Sequence, residues 1–366
     1  MKSLGLVGVV VWIALMAMIS PTFRNARVEQ IDGKNKYRYG YKFAILAFLP
    51  IILWAGLREG RGYVDTNAYI KMYQQIPGSF EGLRAYLHNN PDDPGYTVFQ
   101  YIVKYIWGES YRPLLLSIAI IQGCAVVFLY RKYSESYLMS IFLFIASAEY
   151  FSWMFNGIRQ FLAVSIIMYG FPFLVNRKYL KFWIVVAFAS TFHMTAIIMI
   201  PISLVVYGRP WNYRTLITIM IGILAIMMTS QFTDFVDVAT RNTQYEDSVG
   251  SWNEGGDDGT NPIRVLVYAM PTILAFIGRR KLEQEEDNVL DICINMSIIS
   301  TVLWMISIVT SGIYMGRLPV YASIFNYILI PYELIILFKK TLVRDAMLIL
   351  YLAYYYYQLH FIWGAI

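Results

Sequence analysis

Apolar runs close to the ~20 residues needed to cross a hydrocarbon core recur from one end of the chain to the other. They lie at roughly 3–20, 42–57, 112–130, 137–154, 158–175, 182–207, 215–229, 262–277, 290–309, 318–338 and 345–361. Composition agrees with a membrane fold: of 366 residues, 58% are hydrophobic and 15% charged. The mean hydropathy of +0.49 is far outside the usual range for a soluble domain. The chain therefore reads as an all-α, polytopic integral membrane protein, with residues 1–366 forming a single membrane domain. Cys124 and Cys293 sit far apart inside apolar runs, which suits small packing residues better than a disulfide or a metal site.

The formal excess of six positive charges acts through its distribution between loops. Basic clusters stand at Arg24, Arg27, Lys34, Lys36 and Arg38, at Arg131 and Lys132, and at Arg177, Lys178 and Lys181. Others follow at Arg209 and Arg214, at Arg279 to Lys281, and at Lys339, Lys340 and Arg344. The positive-inside rule assigns all of these to the cytoplasm as interfacial anchors. The loop 230–261 carries seven acidic residues against one arginine, and together with 57–111 it is assigned to the outer side. Parity then requires 182–207 to be two short, tilted or re-entrant pieces meeting near "STFHM", with His193 at the break. About twelve crossings result, with both termini outside.

Lys2 and the apolar run behind it resemble a signal peptide, but the basic loop that follows favours a retained first helix. The segment 94–107, "PGYTVFQYIVKYIW", is too short to span and is interrupted by Lys104. Its tyrosines and tryptophan suit the outer interface. The tract "NEGGDDGTN" at 253–261 reads as a loop tip.

Several polar residues remain at outer membrane ends. Asn156, Arg159 and Gln160 stand at i, i+3 and i+4 in "FNGIRQ", so a helix starting near 156 presents them on one face. Gly157 leaves room beside them, and Glu149 lies deeper in the preceding apolar run. Arg58 and Arg61 follow the second span in "LREGRGYVDTNAY", where Gly60 and Gly62 permit a tight turn able to offer backbone N–H groups to an anion. Asp65 or Thr66 looks like the N-cap of an amphipathic helix with Tyr69, Tyr73 and Ile76 on its apolar side. Arg112 begins the third span, Arg264 opens the span after the acidic loop, and Arg317 lies in "SGIYMGRLPVY".

Each arginine taken alone is explained as an interfacial snorkeller, Asp65 as a cap, His193 as the filler of a helix break, and Glu149 as a structural partner. Their convergence on one face is harder to explain that way. An ionised residue inside the bilayer costs about 2.5–3.5 kcal/mol, which makes intramembrane charge a functional hypothesis by default. Guanidinium is always charged and forks two N–H bonds onto phosphate. The expected ligand is an anion at the outer leaflet, a lipid-linked phosphate or pyrophosphate.

The stretch "FNGIRQFLAVSIIMYGFPFLVNRKYLKFWIVVAFASTFHMTAIIMIPISL", with "LREGRGYVDTNAYIKMY" and "DPGYTVFQYIVK" upstream, resembles the EpsG family of Wzy-like bacterial polysaccharide polymerases. The resemblance runs from about residue 54 to 205, and more weakly through Arg317 and Tyr321. The acidic loop and Glu149 are not part of that pattern. The resemblance implies a scaffold similar to C-type glycosyltransferases. It also implies polymerisation of undecaprenyl-pyrophosphate-linked oligosaccharide at the outer face of the bacterial cytoplasmic membrane, without a metal or other cofactor. Membrane lipids, a chain-length regulator and a flippase would be its partners, and nucleic acid would not.

On this reading Arg159 is the first choice to receive the leaving pyrophosphate, in the manner of an oxyanion clamp. Arg58, Arg61 and Arg317 stand behind it, Tyr69 and Arg264 are further substrate contacts, and Asn156 and Gln160 orient sugar hydroxyls or the arginine itself. Asp65, His193 and Glu149 remain open as general base. The carboxylate pairs Asp92–Asp93, Asp234 with Asp237, and Asp257–Asp258 are explained by solvation in hydrophilic loops. A flippase for the same lipid is a rival, although it would need a cationic path to both faces and often repeated halves. A ligase is the other.

Overall fold

The computed structural model describes residues 2–23, 27–31, 34–59, 65–240, 243, 259–338 and 340–362. These residues are overwhelmingly helical. Contacts divide them into two compact units, Met1–Ile197 with Phe338–Ile366, and Ile198–Leu337.

In the first unit, α1 (Lys2–Ile19) precedes a hairpin of β1 (Arg27–Ile31) and β2 (Lys34–Arg38), then α2 (Tyr41–Leu57). The antiparallel hairpin pairs Arg27 with Arg38 and Ile31 with Lys34. Hydropathy does not foresee it, because its residues are mostly polar and basic. It is held by Arg131, whose side chain is wholly buried. That guanidinium donates to Glu29 Oε1 at 2.6 Å and to the Tyr39 carbonyl at 2.5 Å, and its Cζ lies 3.7 Å from the Tyr41 ring centroid. Arg131 thus departs from the expected plain anchor: its burial is offset by a carboxylate, a carbonyl and a ring face.

Three short helices follow: α3 (Thr66–Gln75), α4 (Phe80–Asn89) and α5 (Pro94–Trp107). With 14 residues at ~1.5 Å each, α5 falls short of a ~30 Å core. It is amphipathic. Tyr96, Thr97, Gln100, Val103 and Lys104 are buried, while Ile102, Tyr105, Ile106 and Trp107 are exposed. Lys104 does not interrupt this helix; it fastens it. Its ammonium donates to the carbonyls of Gln74 at 3.1 Å and Ile76 at 2.7 Å, lies 2.9 Å from Glu109, and so docks the end of α3 onto α5. Tyr73 adds a bond from its hydroxyl to the Gly108 carbonyl at 2.8 Å.

The apolar centre of this unit consists of α6 (Arg112–Tyr133), α7 (Tyr137–Ala146), α8 (Glu149–Trp153), α9 (Ile158–Val175) and α10 (Tyr179–Ser190). α2 lies along α6, which also packs on α9, and α9 packs on α10. The C-terminal helix Thr341–Tyr357 returns to α7. The run expected to cross at 137–154 is broken: α7 stops after 10 residues and Ala148 turns the chain with φ 61°. A uniformly apolar run carries no hydropathy signal for such a turn. By contrast, the break expected near "STFHM" is present. α10 ends at Ser190, a 3-10 turn covers Met194–Ile198, and a new helix runs Met199–Val205.

In the second unit, helix Asn288–Val309 is flanked by Tyr213–Met227 and Pro262–Ile277. Its N-terminus is capped by Asp287, whose Oδ1 accepts from the amides of Val289 and Leu290, while Oδ2 accepts from the Tyr332 hydroxyl at 3.0 Å. Among the described residues three helices are long and apolar enough to span, Arg112–Tyr133, Ile158–Val175 and Asn288–Val309. The number rises to six if each sharply bent helix pair is one span. That is fewer than the twelve expected, because many of the apolar runs fold as helices of 10–17 residues.

Candidate functional site

The turn before α9 determines the site. Gly157, with φ 65°, is the last residue before the helix, so α9 begins at Ile158 rather than near 156, and Asn156 stands just outside it. A Cβ at Gly157 would overlap the six-membered ring of Trp153, so the position requires glycine for both conformation and space. Trp153 is held by Glu149, whose Oε1 accepts from the indole N–H at 3.0 Å. From the other side, Asp65 Oδ2 accepts the Gly157 amide at 3.0 Å. Asp65 does occupy the N-cap position of α3, but its side chain makes no cap bond there. It reaches 92 residues along the chain to the first N–H of the α9 turn.

Arg159 follows in the first turn of α9. A guanidinium there opposes the positive end of the helix dipole, so it needs negative charge nearby. That charge is Asp93, whose Oδ2 lies 2.9 Å from Arg159 Nη1. The Asp93 side chain is 2% exposed and that of Arg159 is 25% exposed, so one partner is enclosed and the other opens outward. Asp93 Oδ1 also accepts the Met194 amide at 3.3 Å. Asp93 has φ 48°, a left-handed conformation that aspartate tolerates better than most residues, and Pro94 opens α5 directly behind it.

The pair is walled by aromatic rings. Arg159 Cζ lies 6.0 Å from the ring centroids of both Tyr69 and Tyr96, which stand edge to face at 6.5 Å. Burial pushes the Tyr96 phenol up, so it presents a neutral hydroxyl. Gly95 lets α5 approach the turn after α10: its amide donates to the Thr191 carbonyl at 2.8 Å, and a Cβ there would overlap the Thr191 side chain. His193, one residue before Met194, is 6% exposed, and its Nδ1 lies 2.6 Å from Thr195 Oγ1.

Arg58 joins the same cluster. Its Nε donates to Thr66 Oγ1 at 3.1 Å, Nη1 to the Ala55 carbonyl, and Nη2 to the Phe155 carbonyl at 3.4 Å. It therefore ties the ends of α2 and α3 to the residue before Asn156, through neutral oxygens. Gln160 is 1% exposed. Gln122 of α6 donates to the Ile158 carbonyl at 3.2 Å, holding the start of α9 from behind.

Arg58, Asp65, Tyr69, Asn156, Arg159, Gln160 and His193 thus gather in the first unit around the start of α9. Glu149 stands one contact further back. Arg61 lies outside the described residues, as do Asp257 and Asp258. Arg264 and Arg317 belong to the second unit. There Arg264 donates to the Tyr268 hydroxyl at 3.1 Å and lies 5.7 Å from the Trp304 ring centroid, and Arg317 is the exposed last residue of a 3-10 turn whose Met315 and Gly316 are buried. Arg112 is exposed at the first turn of α6. Asp234 and Asp237 lie on helix Thr229–Thr240.

Tyr96 and Gln100 carry no signal of a site in the sequence, and Asp93, which solvation in a hydrophilic loop would explain, is instead enclosed and ion-paired. The available signal was its place immediately before "PGY", where an aspartate opens a helix whose first turn carries an aromatic ring.

Chemically, the cluster offers an outward-opening guanidinium held by a carboxylate, two phenol rings, and an imidazole fixed by a hydroxyl. Such a constellation can receive an anion and orient a polyhydroxylated group next to it. The model of the EpsG family matches residues 41–365. No curated protein and no solved structure matches the chain.

Proposed function

We propose, from the premise that this chain belongs to the EpsG family of Wzy-like polysaccharide polymerases, that it transfers a growing glycan between lipid carriers. The donor would be the glycan on undecaprenyl pyrophosphate, and the acceptor a new lipid-linked repeat unit, at the outer face of the bacterial cytoplasmic membrane. Family membership and the long apolar helices support a membrane-embedded protein acting in polysaccharide synthesis. The loop charges support the orientation.

The observation that carries this reading is the Arg159–Asp93 pair. It joins the NGIRQ turn to the PGY helix and leaves a quarter of the arginine side chain open. In the proposed step the acceptor hydroxyl attacks the anomeric carbon. The bond from that carbon to the pyrophosphate oxygen breaks, and lipid pyrophosphate leaves with the electron pair. Arg159 receives the developing negative charge, and Asp93 keeps the guanidinium aimed. A charged donor set placed in advance lowers the barrier without reorganising during the reaction.

We assign the hydroxyl proton to His193, whose ring is oriented by Thr195. Asp65 and Glu149 are assigned positioning roles, because each has a carboxylate oxygen engaged in holding the Gly157 turn directly or through Trp153. Arg58, Asn156 and Gln160 complete the wall. Arg61, from the segment between Arg58 and Asp65, is proposed as a further contact to the anionic substrate.

Reconstitution into liposomes with purified lipid-linked repeats tests the reading. Longer glycan on the lipid supports a polymerase. New glycan on a different acceptor would mean a ligase, and translocation without bond formation would mean a carrier.

A further inference from the structure

Beside the ion pair, buried polar atoms stand without partners. Tyr96 is 3% exposed and Gln100 is 2% exposed, yet Tyr96 Oη and Gln100 Nε2 have no hydrogen-bond partner among the described residues. The same holds for Arg159 Nε and Asn156 Oδ1. Tyr96 and Gln100 are spaced i, i+4 on α5, so they share one face of that helix. Asn156 and Arg159 belong to the turn that Asp93 draws against the beginning of α5. Two of these groups share a face of α5, and Arg159 lies 6.0 Å from the Tyr96 ring centroid, whereas nearly all buried polar atoms in folded proteins find partners. Leaving such bonds unmade is destabilising.

Their chemistry is mixed. The guanidinium and amide nitrogens donate, the asparagine oxygen accepts, and the phenol does both. A phosphate would use the donors and be repelled by the acceptor. A ring bearing several hydroxyls would satisfy every one, because each hydroxyl donates once and accepts twice. Tyr69, edge to face with Tyr96, adds an apolar surface of the kind that sugar C–H groups cover.

We propose that the buried face of α5 carrying Tyr96 and Gln100, together with Asn156 and Arg159 Nε, is a sugar-binding subsite. It reads hydroxyl groups of the pyranose joined to the pyrophosphate. The proposal rests on the glycosyl-transfer reading above and adds to it where the repeat unit is recognised. A site built to bond a hydroxyl rejects an analogue lacking it far more strongly than an apolar pocket can, because its own buried groups are then left unpaired.

The test uses Tyr96→Phe and Gln100→Met in the full chain, reconstituted in liposomes. Two probes are bound: undecaprenyl pyrophosphate without sugar, and the same lipid carrying one repeat unit. Each variant is expected to bind the glycosylated lipid at least about 10-fold more weakly and the bare lipid as wild type does, with an unchanged or higher Tm. Elongation of glycosylated lipid should fall in step. Binding and elongation within twofold of wild type would overturn the subsite. So would an equal loss of both probes with a lowered Tm, which would make these residues structural. Failure of the wild type to lengthen glycan in the same assay would instead remove the glycosyl-transfer reading itself.

Discussion

Asp93 and Arg159, 66 residues apart in sequence, meet through a 2.9 Å ion pair in which the carboxylate is enclosed and the guanidinium is one-quarter open. The pair joins two segments that a linear reading treats separately. In the proposed step it also separates two roles, the buried partner fixing direction and the exposed partner meeting the ligand. Replacing Asp93 by Ala removes the only carboxylate seen within bonding distance of Arg159 among the described residues. Breaking a buried pair costs about 3–5 kcal/mol, and the partial exposure of Arg159 places the expected loss at the lower end. A lower Tm by calorimetry in detergent, together with loss of polymer, is the expected result. Asp93→Asn, which keeps the shape, should recover most of the stability and little of the activity.

Arg159→Lys preserves charge and loses the planar fork. By comparison with removing one donor from a charge-stabilising site, the rate of glycan elongation should fall about 10²–10³-fold while expression and Tm stay close to wild type. Elongation at the wild-type rate would discard Arg159 as the pyrophosphate clamp.

Asp65 permits a clean distinction between proton acceptor and scaffold. If it serves the Gly157 amide, Asp65→Asn retains an oxygen for that bond and should retain most of the activity. Asp65→Ala leaves the amide unmatched, at a cost of about 1–3 kcal/mol, and should lose both stability and rate. Equal inactivity of the two variants with unaltered Tm would point instead to a base.

Gly157→Ala should be more damaging than its size suggests. The residue has φ 65°, and the added methyl would meet the Trp153 ring. A combined cost of several kcal/mol follows from strain of about 1 kcal/mol or more in the left-handed region plus overpacking of about 1–3 kcal/mol. Tm should drop sharply. Trp153→Ala in the same chain should restore part of it, because the clash is with that ring.

His193→Gln keeps hydrogen-bonding capacity and removes basicity. Elongation should drop by about 10²–10⁴-fold, the range for loss of a general base, with binding of bare undecaprenyl pyrophosphate unchanged. Full activity would return the assignment to the remaining groups.

Much of the architecture was legible because hydropathy and loop charge act over long windows. The membrane class and the break around His193 follow from such windows, whereas the contacts of Arg58, Asp65 and Tyr69 with residues 155–159 join segments that no window spans. Other features depend on backbone conformation or on distant partners. The φ 61° turn at Ala148 lies within an apolar run that looks continuous, and so Glu149 opens a short helix instead of standing within a longer one. Asp93 sits in a hydrophilic loop by sequence, and only the fold brings Arg159 to it. Lys104 looked like an interruption because a lone lysine signals polarity but not the carbonyls of Gln74 and Ile76 that receive it.

The bond from Trp153 to Glu149 gives the protein an optical gauge. Indole emission depends on its surroundings, and because this indole donates to Glu149 and lies against the Gly157 turn, a ligand that displaces the turn is expected to change it. The difference in fluorescence between the wild type and Trp153→Phe therefore offers a spectroscopic record of ligand arrival that requires no label and no radioactive sugar.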